Sequence, residues 1–509
     1  MREPNAAANA PGPRILAVLG GLVIAIGVGF FFYTRSDMWL DEALSVNIAR
    51  LPLGDLRAAL ERDGAPPLYY ALLHGWTGVF GDGDIGARSL SAVFGVGLLV
   101  SMWFAARRYG DRTLAWTAVL ITAASPYAIR YATEARMYML EMLLVTIGII
   151  VIDRALEKPN VGRLAAVAAI AAALVYTQYW AFALLGVVGA CLLFVAWRDQ
   201  AARGTALRIA AAIVVGAATF AFWLPTFLSQ RAHTGTPWGD PVLPGLPIGE
   251  TFLGFAGEEE QEGYLLLLLL IPILVLGLFG QSVDNRRIEL DLRVRKPIRW
   301  LAFVGGATLV VGTTLNYLAG QAFEARYSAV MWPMFAIVVA RGITTLGDVR
   351  VRVAVLTVVV GLGFVSGTRN VTEQRTQAGE VADALHSLAQ PGDLVVYCPD
   401  QLAPGVHRLL RPGFNEVTFP DFGDPAFVNW VDYDERTNAV DPLAFAAEIE
   451  TRAGDGTVWL VTGPGYPTLN GKCEAISATL AEGRTRTAVV NAKEEFFEKP
   501  GLQQFAPAG

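Results

Sequence analysis

Two adjacent carboxylates open the part of this chain best suited to chemistry: Trp39-Leu40-Asp41-Glu42-Ala43, followed by Asp63-Gly64-Ala65-Pro66-Pro67-Leu68-Tyr69-Tyr70. They stand just beyond an apolar run, where charge is costly beside lipid unless a partner or a water-filled cavity receives it. One of the pair could serve as a general base or hold an acceptor; a solvated acidic patch at the headgroups is the other reading. A second polar stretch holds Ser125-Pro126-Tyr127, then Arg130, Tyr131, Glu134, Arg136 and Tyr138. Arg130 and Glu134 stand one helical turn apart and suit each other as an ion pair, which leaves Arg136 over. A guanidinium at that place either anchors in the headgroups or offers its fork of donors to a lipid phosphate. Phe323-Glu324-Ala325-Arg326-Tyr327 supplies another arginine at the entry of a later apolar run.

What must position these residues is a membrane domain. Residues are 53% hydrophobic and only 17% charged, against about 25% charged in a soluble domain. Apolar stretches recur near 15–33, 86–105, 114–130, 137–152, 163–178, 180–197, 207–224, 264–281, 300–318, 328–341 and 352–367. With about 20 residues needed per crossing, they predict about eleven transmembrane helices. The first, Ile15 to Phe32, lacks a small-residue cleavage site before Tyr33-Thr34-Arg35 and reads as a retained span.

Lys and Arg are enriched in short cytoplasmic loops. An inside N-terminus puts Arg107, Arg108 and Arg112, then Arg154, Lys158 and Arg163, then Arg198, Arg203 and Arg208 on that side. It does the same for Arg286, Arg287, Arg293, Arg295, Lys296 and Arg299, and for Arg341, Arg350 and Arg352. The opposite loops are acidic, from Asp37 to Asp63 and from Glu258 to Glu262. An odd number of spans then carries the end of the chain outside. A multi-pass protein of the plasma membrane is expected, with residues 1–369 as the membrane module and 34–85 as its first outer loop. Residues 370–509 have the composition of a small extracytoplasmic α/β domain. Asp393 to Tyr397 and Thr457 to Val461 read as buried strands, and Ala378–Leu388, Pro442–Arg452 and Cys473–Glu482 as helices. Cys398 and Cys473 lie in this domain on the oxidising side, either as a disulfide or as two buried thiols.

Four His and three Cys without a CxxC or a His pair at ligand spacing argue against a zinc or iron–sulfur site. No basic run interleaved with aromatics suggests a nucleic-acid surface. The expected surroundings are lipid bilayer and lipid-borne ligands.

DMWLDEALS, then DGAPPLYYALLHGWTGVFGDGDIGARSLSAVFG, then SPYAIRYATEARMYML, and late in the chain EARYSAVMWPMFAIVVARG, resemble glycosyltransferase family 39. That family includes the protein O-mannosyltransferases and the lipid A aminoarabinose transferases, of the GT-C membrane fold. The resemblance implies transfer of a mannose- or arabinose-like sugar from a polyprenyl-phosphate donor to an acceptor outside the cytoplasm: a protein, a glycolipid or a polysaccharide. It implies Asp41 as the catalytic base with Glu42 beside it, and Arg136 and, less directly, Arg326 on the donor phosphate. Asp63, Tyr69 and Tyr138 would line the donor and acceptor pocket. One base opposite one leaving group implies inversion at the anomeric carbon. Where relatives carry His-Pro-Pro or Lys-Pro-Pro, this chain has Ala65-Pro66-Pro67, which makes a divalent metal doubtful. A transporter or flippase of lipid-linked glycans, or a catalytically silent assembly subunit, are the competing readings. The absence of an internal repeat and the clustering of polar residues at span ends speak against the transporter.

Overall fold

Most uninterrupted apolar runs become one helix; where a capping serine or a helix-starting proline intervenes, the run divides. The membrane part of this chain has both outcomes. The computed structural model describes residues 13–257, 261–294, 296, 298–466, 469 and 471–507. Glu258 to Glu260 of the acidic loop and Arg295 of the basic loop lie outside them. After α1 (Pro13–Phe31), the first outer loop folds into α2 (Leu40–Arg50), α3 (Leu56–Asp63) and α4 (Leu68–Phe80). Next come α5 (Asp84–Ala106), α6 (Arg112–Ala124), α7 (Pro126–Ala132), α8 (Tyr138–Glu157), α9 (Val161–Thr177), α10 (Ala181–Arg198) and α11 (Arg203–Ala218). They are followed by α12 (Leu224–His233), α13 (Gly245–Ala256), α14 (Gln261–Phe279) and a hairpin of β1 (Gly280–Ser282) with β2 (Ile288–Leu290). The bundle closes with α15 (Arg299–Leu318), a 3-10 turn at Ala325–Val330, α16 (Trp332–Thr345) and α17 (Val349–Thr372).

Seven of the described helices are long and apolar enough to cross a membrane: α1, α5, α10, α11 with its 3-10 extension, α14, α15 and α17. This corrects the expected count of about eleven. The four other segments are helical but fall short in length or composition. α6, α9 and α16 have 13, 17 and 14 residues, and a helix rises only ~1.5 Å per residue against a ~30 Å hydrocarbon core. α8 has 20 residues but carries Glu141, Asp153, Arg154 and Glu157. The breaks have local causes. Ser125 caps α7 by accepting from the Ala128 N–H, with Pro126 at its first turn, and this divides the run expected at 114–130. Pro333 likewise sits in the first turn of α16, so that helix begins after the 3-10 turn.

Small residues let the helices pack at backbone distance. A Cβ placed on Gly342 of α16 would lie 1.9 Å from the Ile273 carbonyl of α14, and one on Gly277 would lie 2.2 Å from the Val338 carbonyl. The two glycines face each other's helix, so any side chain there would force the pair apart.

Beyond α17, the chain forms α18 (Ala378–Leu388), β3 (Leu394–Cys398), α19 (Ala403–Leu409), β4 (Asn415–Thr418), α20 (Tyr433–Ala439) and α21 (Pro442–Ala453). It ends with β5 (Val458–Thr462), α22 (Lys472–Gly483), β6 (Arg484–Val490) and β7 (Gly501–Pro507). The sheet runs β4-β3-β5-β7-β6, parallel across its first three strands and antiparallel at β7 and β6. The expected strands and helices are present within a residue or so; β4, β6 and β7 were not legible in the sequence. Cys398 at the end of β3 is disulfide-bonded to Cys473 at the start of α22, with Cα atoms 5.6 Å apart. Cys191, in α10, is free.

Candidate active site

Successive residues of a helix point about 100° apart, so Asp41 and Glu42 on the first turn of α2 cannot serve the same face. Asp41 Oδ2 lies 3.7 Å from Arg136 Nη2 and 3.7 Å from Arg326 Nη1. These separations are ion pairs, longer than hydrogen bonds. The three side chains keep 19%, 13% and 14% of their surface exposed, enough for a ligand to reach them from a largely covered cleft.

Each arginine is held from behind. Arg136 lies in the short connection between α7 and α8, and its Nη1 donates to Ser45 Oγ of α2 at 2.9 Å and to the Tyr70 hydroxyl at 3.3 Å. Tyr70 in turn donates to Asp63 Oδ2 at 2.7 Å, which links the acid at the end of α3 to the same cluster. Burial pushes the Asp63 carboxyl up, against the Arg136 charge and the Tyr70 hydroxyl. Gly64 follows in the left-handed conformation (φ 85°) and ends α3 there. Arg326 sits in the 3-10 turn before α16, whose carbonyl at Ala325 accepts from the Tyr127 hydroxyl at 3.1 Å. Its guanidinium lies over Trp39 at 5.5 Å, with Trp238 and Tyr327 each at 5.9 Å. The Nε atoms of both arginines are buried and have no protein acceptor. They are donors left without a protein partner beside Asp41, the kind of group that fits an anionic oxygen.

Glu42 has a different occupation. Its carboxylate is buried and forked by Arg88, with Nε to Oε1 and Nη2 to Oε2 both at 2.7 Å. It also accepts from the Ala135 N–H at 3.0 Å and stands 3.7 Å from Arg375 Nη1. Burial alone would raise this carboxyl; Arg88 first and Arg375 second outweigh it and hold it below its usual value. The two adjacent acids expected in one site are therefore divided, Asp41 in the cleft and Glu42 in the scaffold behind it. Arg88 also donates to the Ser36 carbonyl at 2.6 Å and so holds the irregular segment leading into α2. Arg130 and Glu134 form the expected pair at 3.3 Å.

Tyr69, expected in the pocket, is buried with its hydroxyl 3.1 Å from Ser91 Oγ, which donates to the Arg136 carbonyl at 3.4 Å. Tyr70 stands where Tyr69 was expected. The first residue of α4 sets which tyrosine faces the cleft, and the sequence does not reveal that phase. Tyr138 is buried edge-on to Tyr131 at 5.0 Å and within electrostatic reach of both arginines. Ser45, Trp39 and Trp238 join the site without having been anticipated. Among the described residues, no group of three or more His, Cys, Asp or Glu could hold a metal ion. His74, in the family-like stretch, has its Nδ1 2.7 Å from the Ala49 carbonyl.

The family described as dolichyl-phosphate-mannose-protein mannosyltransferase matches residues 64–225, a span that holds Tyr70 and Arg136. ArnT from Cupriavidus metallidurans in the apo state is similar over 96% of this chain and 98% of its own, with TM-score 0.58 and 14% identity. The same protein bound to undecaprenyl phosphate is similar over 97% and 98%, with TM-score 0.56 and 14% identity. An oligosaccharyltransferase from Archaeoglobus fulgidus, in complex with zinc and sulfate, is similar over 95% of this chain and 73% of its own. There the TM-score is 0.52 and the identity 9%. No curated protein sequence matches. The fold is thus that of the GT-C membrane glycosyltransferases, in keeping with the resemblance read in the sequence.

Proposed function

We propose that this chain is a membrane glycosyltransferase that moves a sugar from a polyprenyl-phosphate donor to an acceptor hydroxyl on the outer side of the membrane, with inversion. The observation that carries this reading is the convergence of Asp41 with Arg136 and Arg326, from three separate segments, both arginines retaining an unpartnered Nε. The family match and the fold agree with it. In the proposed reaction the donor phosphate engages the two guanidinium groups and displaces their contact with Asp41. The acceptor oxygen attacks the anomeric carbon while its proton passes to Asp41. The bond from that carbon to the phosphate oxygen breaks, and polyprenyl phosphate leaves with the electron pair. Two fixed guanidinium groups meet the charge that grows on the phosphate. The leaving group needs no strong acid, since a phosphate departs readily at neutral pH.

Outward orientation has two supports. With α6, α8, α9 and α16 counted as crossings beside the seven long helices, the basic residues fall in the alternate loops opposite α2, as cytoplasmic loops require, and the Cys398–Cys473 disulfide suits an oxidising compartment. Mannose or an arabinose-like pentose is the sugar class the resemblance favours, and the acceptor is a protein, a glycolipid or a polysaccharide of the cell envelope. The test is to incubate the purified chain in lipid nanodiscs with a panel of radiolabelled polyprenyl-phosphate sugars and an envelope extract. Transfer of label to an acceptor, lost in Asp41→Asn, is the expected result. A panel in which no donor is consumed overturns the proposal.

A further inference from the structure

The helix that bears Asp41 is not capped by its own sequence. Trp39, at the cap position of α2, makes no side-chain cap bond. Instead the Leu40 N–H donates to Glu498 Oε1 at 3.1 Å, from a residue 458 positions later in the C-terminal domain. A free N–H at a helix start needs such an acceptor, and an anion suits the positive end of the helix dipole. Glu498 is buried and fixed on every side. Its second oxygen accepts from the Thr376 hydroxyl, its N–H donates to the Arg375 carbonyl at 2.9 Å, and its carbonyl accepts from Gln377 N–H at 3.0 Å. The preceding Phe497 lies edge-on to Trp39 at 5.2 Å, and Trp39 lies in turn under the Arg326 guanidinium. One loop of the C-terminal domain thus touches the residues immediately before and beside the acid and one of the arginines.

We propose that Glu498 is a positioning residue for the transfer reaction: by capping α2 it sets the rotation of the first turn at which Asp41 meets Arg136 and Arg326. The inference rests on Asp41 as the base, and it gives the C-terminal domain a direct part in turnover. The acid is buried within electrostatic reach of Asp41 and Glu42, and its two oxygens meet the Leu40 N–H and the Thr376 hydroxyl. Burial, helped by those two neighbours, pushes the Glu498 carboxyl up to about 7.

The experiment measures kcat and donor KM for the full chain in nanodiscs, with turnover expressed per donor-binding site counted by equilibrium binding. Glu498→Ala is expected to bind donor at wild-type stoichiometry, with KM within threefold, and to lose at least tenfold in kcat. Glu498→Gln, whose amide oxygen accepts from the same N–H, is expected to stay within threefold of wild type in kcat. A residue that only held the fold together would lower the number of donor-binding sites and leave turnover per site unchanged. Leu40→Pro gives a second route: proline is accepted at the first helical position, the extended Trp39 (φ −80°, ψ 173°) suits a following proline, and the N–H is removed together with the buried leucine side chain, whose loss alone is read in Leu40→Ala. Leu40→Pro should reproduce the Glu498→Ala loss, and the double variant should lose no more than either single one. Turnover per site within threefold of wild type in both Glu498→Ala and Leu40→Pro overturns the inference, as does a Gln variant as slow as the Ala variant. If Asp41→Asn, run alongside, turns over normally, it is the function reading that has failed.

Discussion

Replacing Asp41 by Asn should slow transfer and at the same time tighten the hold on the donor. The Asp41 carboxylate is the counter-ion of both arginines, at 3.7 Å from each. A donor phosphate must compete with it. One such pair at about 4 Å is worth about 4 kcal/mol at an effective dielectric of ~20, before solvent and desolvation are counted. An ion pair that is partly open to solvent and longer than a hydrogen bond keeps up to about 1 kcal/mol of that, and Asp41 makes two. Freeing the arginines in Asp41→Asn should therefore improve the affinity for polyprenyl phosphate about tenfold, since about 1.4 kcal/mol corresponds to that factor. Losing the proton acceptor should lower kcat by ~10²–10⁴. Equilibrium binding of labelled polyprenyl phosphate to nanodisc-embedded protein reads the first effect, and single-turnover transfer reads the second. Weaker donor binding in the variant would refute the competition between Asp41 and phosphate, and transfer within tenfold of wild type would refute Asp41 as the base.

Arg136→Lys keeps the charge but loses the fork that reaches Ser45, Tyr70 and the cleft at once; kcat/KM for the donor should fall ~10²-fold or more, as for loss of one preorganised donor. Glu42→Gln leaves Arg88 buried without its anion, and breaking such a pair costs ~3–5 kcal/mol, so Tm by intrinsic fluorescence should drop although no group in the cleft is altered. Asp400 is buried against the Tyr433 hydroxyl at 2.6 Å, and burial pushes its carboxyl up to about 7. Its folded state therefore holds a proton that the unfolded chain releases near pH 4, and stability from this group is complete below about pH 4 and lost as pH rises through about 7. Asp400→Asn should raise Tm at pH 8 by more than at pH 5, and equal shifts at the two pH values would contradict the assignment.

The parts of the site legible in the sequence were those that chemistry alone could flag. Asp41, Arg136 and Arg326 stand out because charge at the end of an apolar run needs a reason, and the structure brings the three together. The division of labour between neighbours was not legible. Asp41 and Glu42, or Tyr69 and Tyr70, differ by one step of helical phase, and only the observed starts of α2 and α4 decide which member faces the cleft. The span count failed for a related reason. Mean hydropathy reads composition, while Ser125-Pro126 and Pro333 act on the continuity of the hydrogen-bonded helix. In the C-terminal domain, β3 and β5 are buried on both faces and read as unbroken apolar runs. β6 is an edge strand with mostly exposed residues, and β7 opens with Gly501 and ends at Pro507, so neither has that signature. The contact of Glu498 with α2 joins residues 458 apart, and no local pattern announces it.

The proposed placement of the arginines between acid and donor phosphate bears on how the barrier is lowered. In the proposed reaction Asp41 begins as an anion and ends protonated, while the phosphate passes from a singly charged diester to a more highly charged monoester. Negative charge thus moves across the cleft without changing in total. Arg136 and Arg326, each held by groups behind it (Ser45 and Tyr70 for one, Trp39 and Tyr327 for the other), need not move to follow it. Their pairing shifts from carboxylate to phosphate as the charge does. Interactions that strengthen only as bonds break act on the transition state and not on the bound donor. The rigid scaffold of Glu42 with Arg88 at one end of α2's first turn, and Glu498 at its start, keeps Asp41 on the acceptor side of that exchange. If the arginines were free to swing, they would bind donor and product alike and the advantage would be lost. Substitutions that loosen their backing, such as Tyr70→Phe at the Asp63–Arg136 link, should therefore lower kcat more than they raise donor KM.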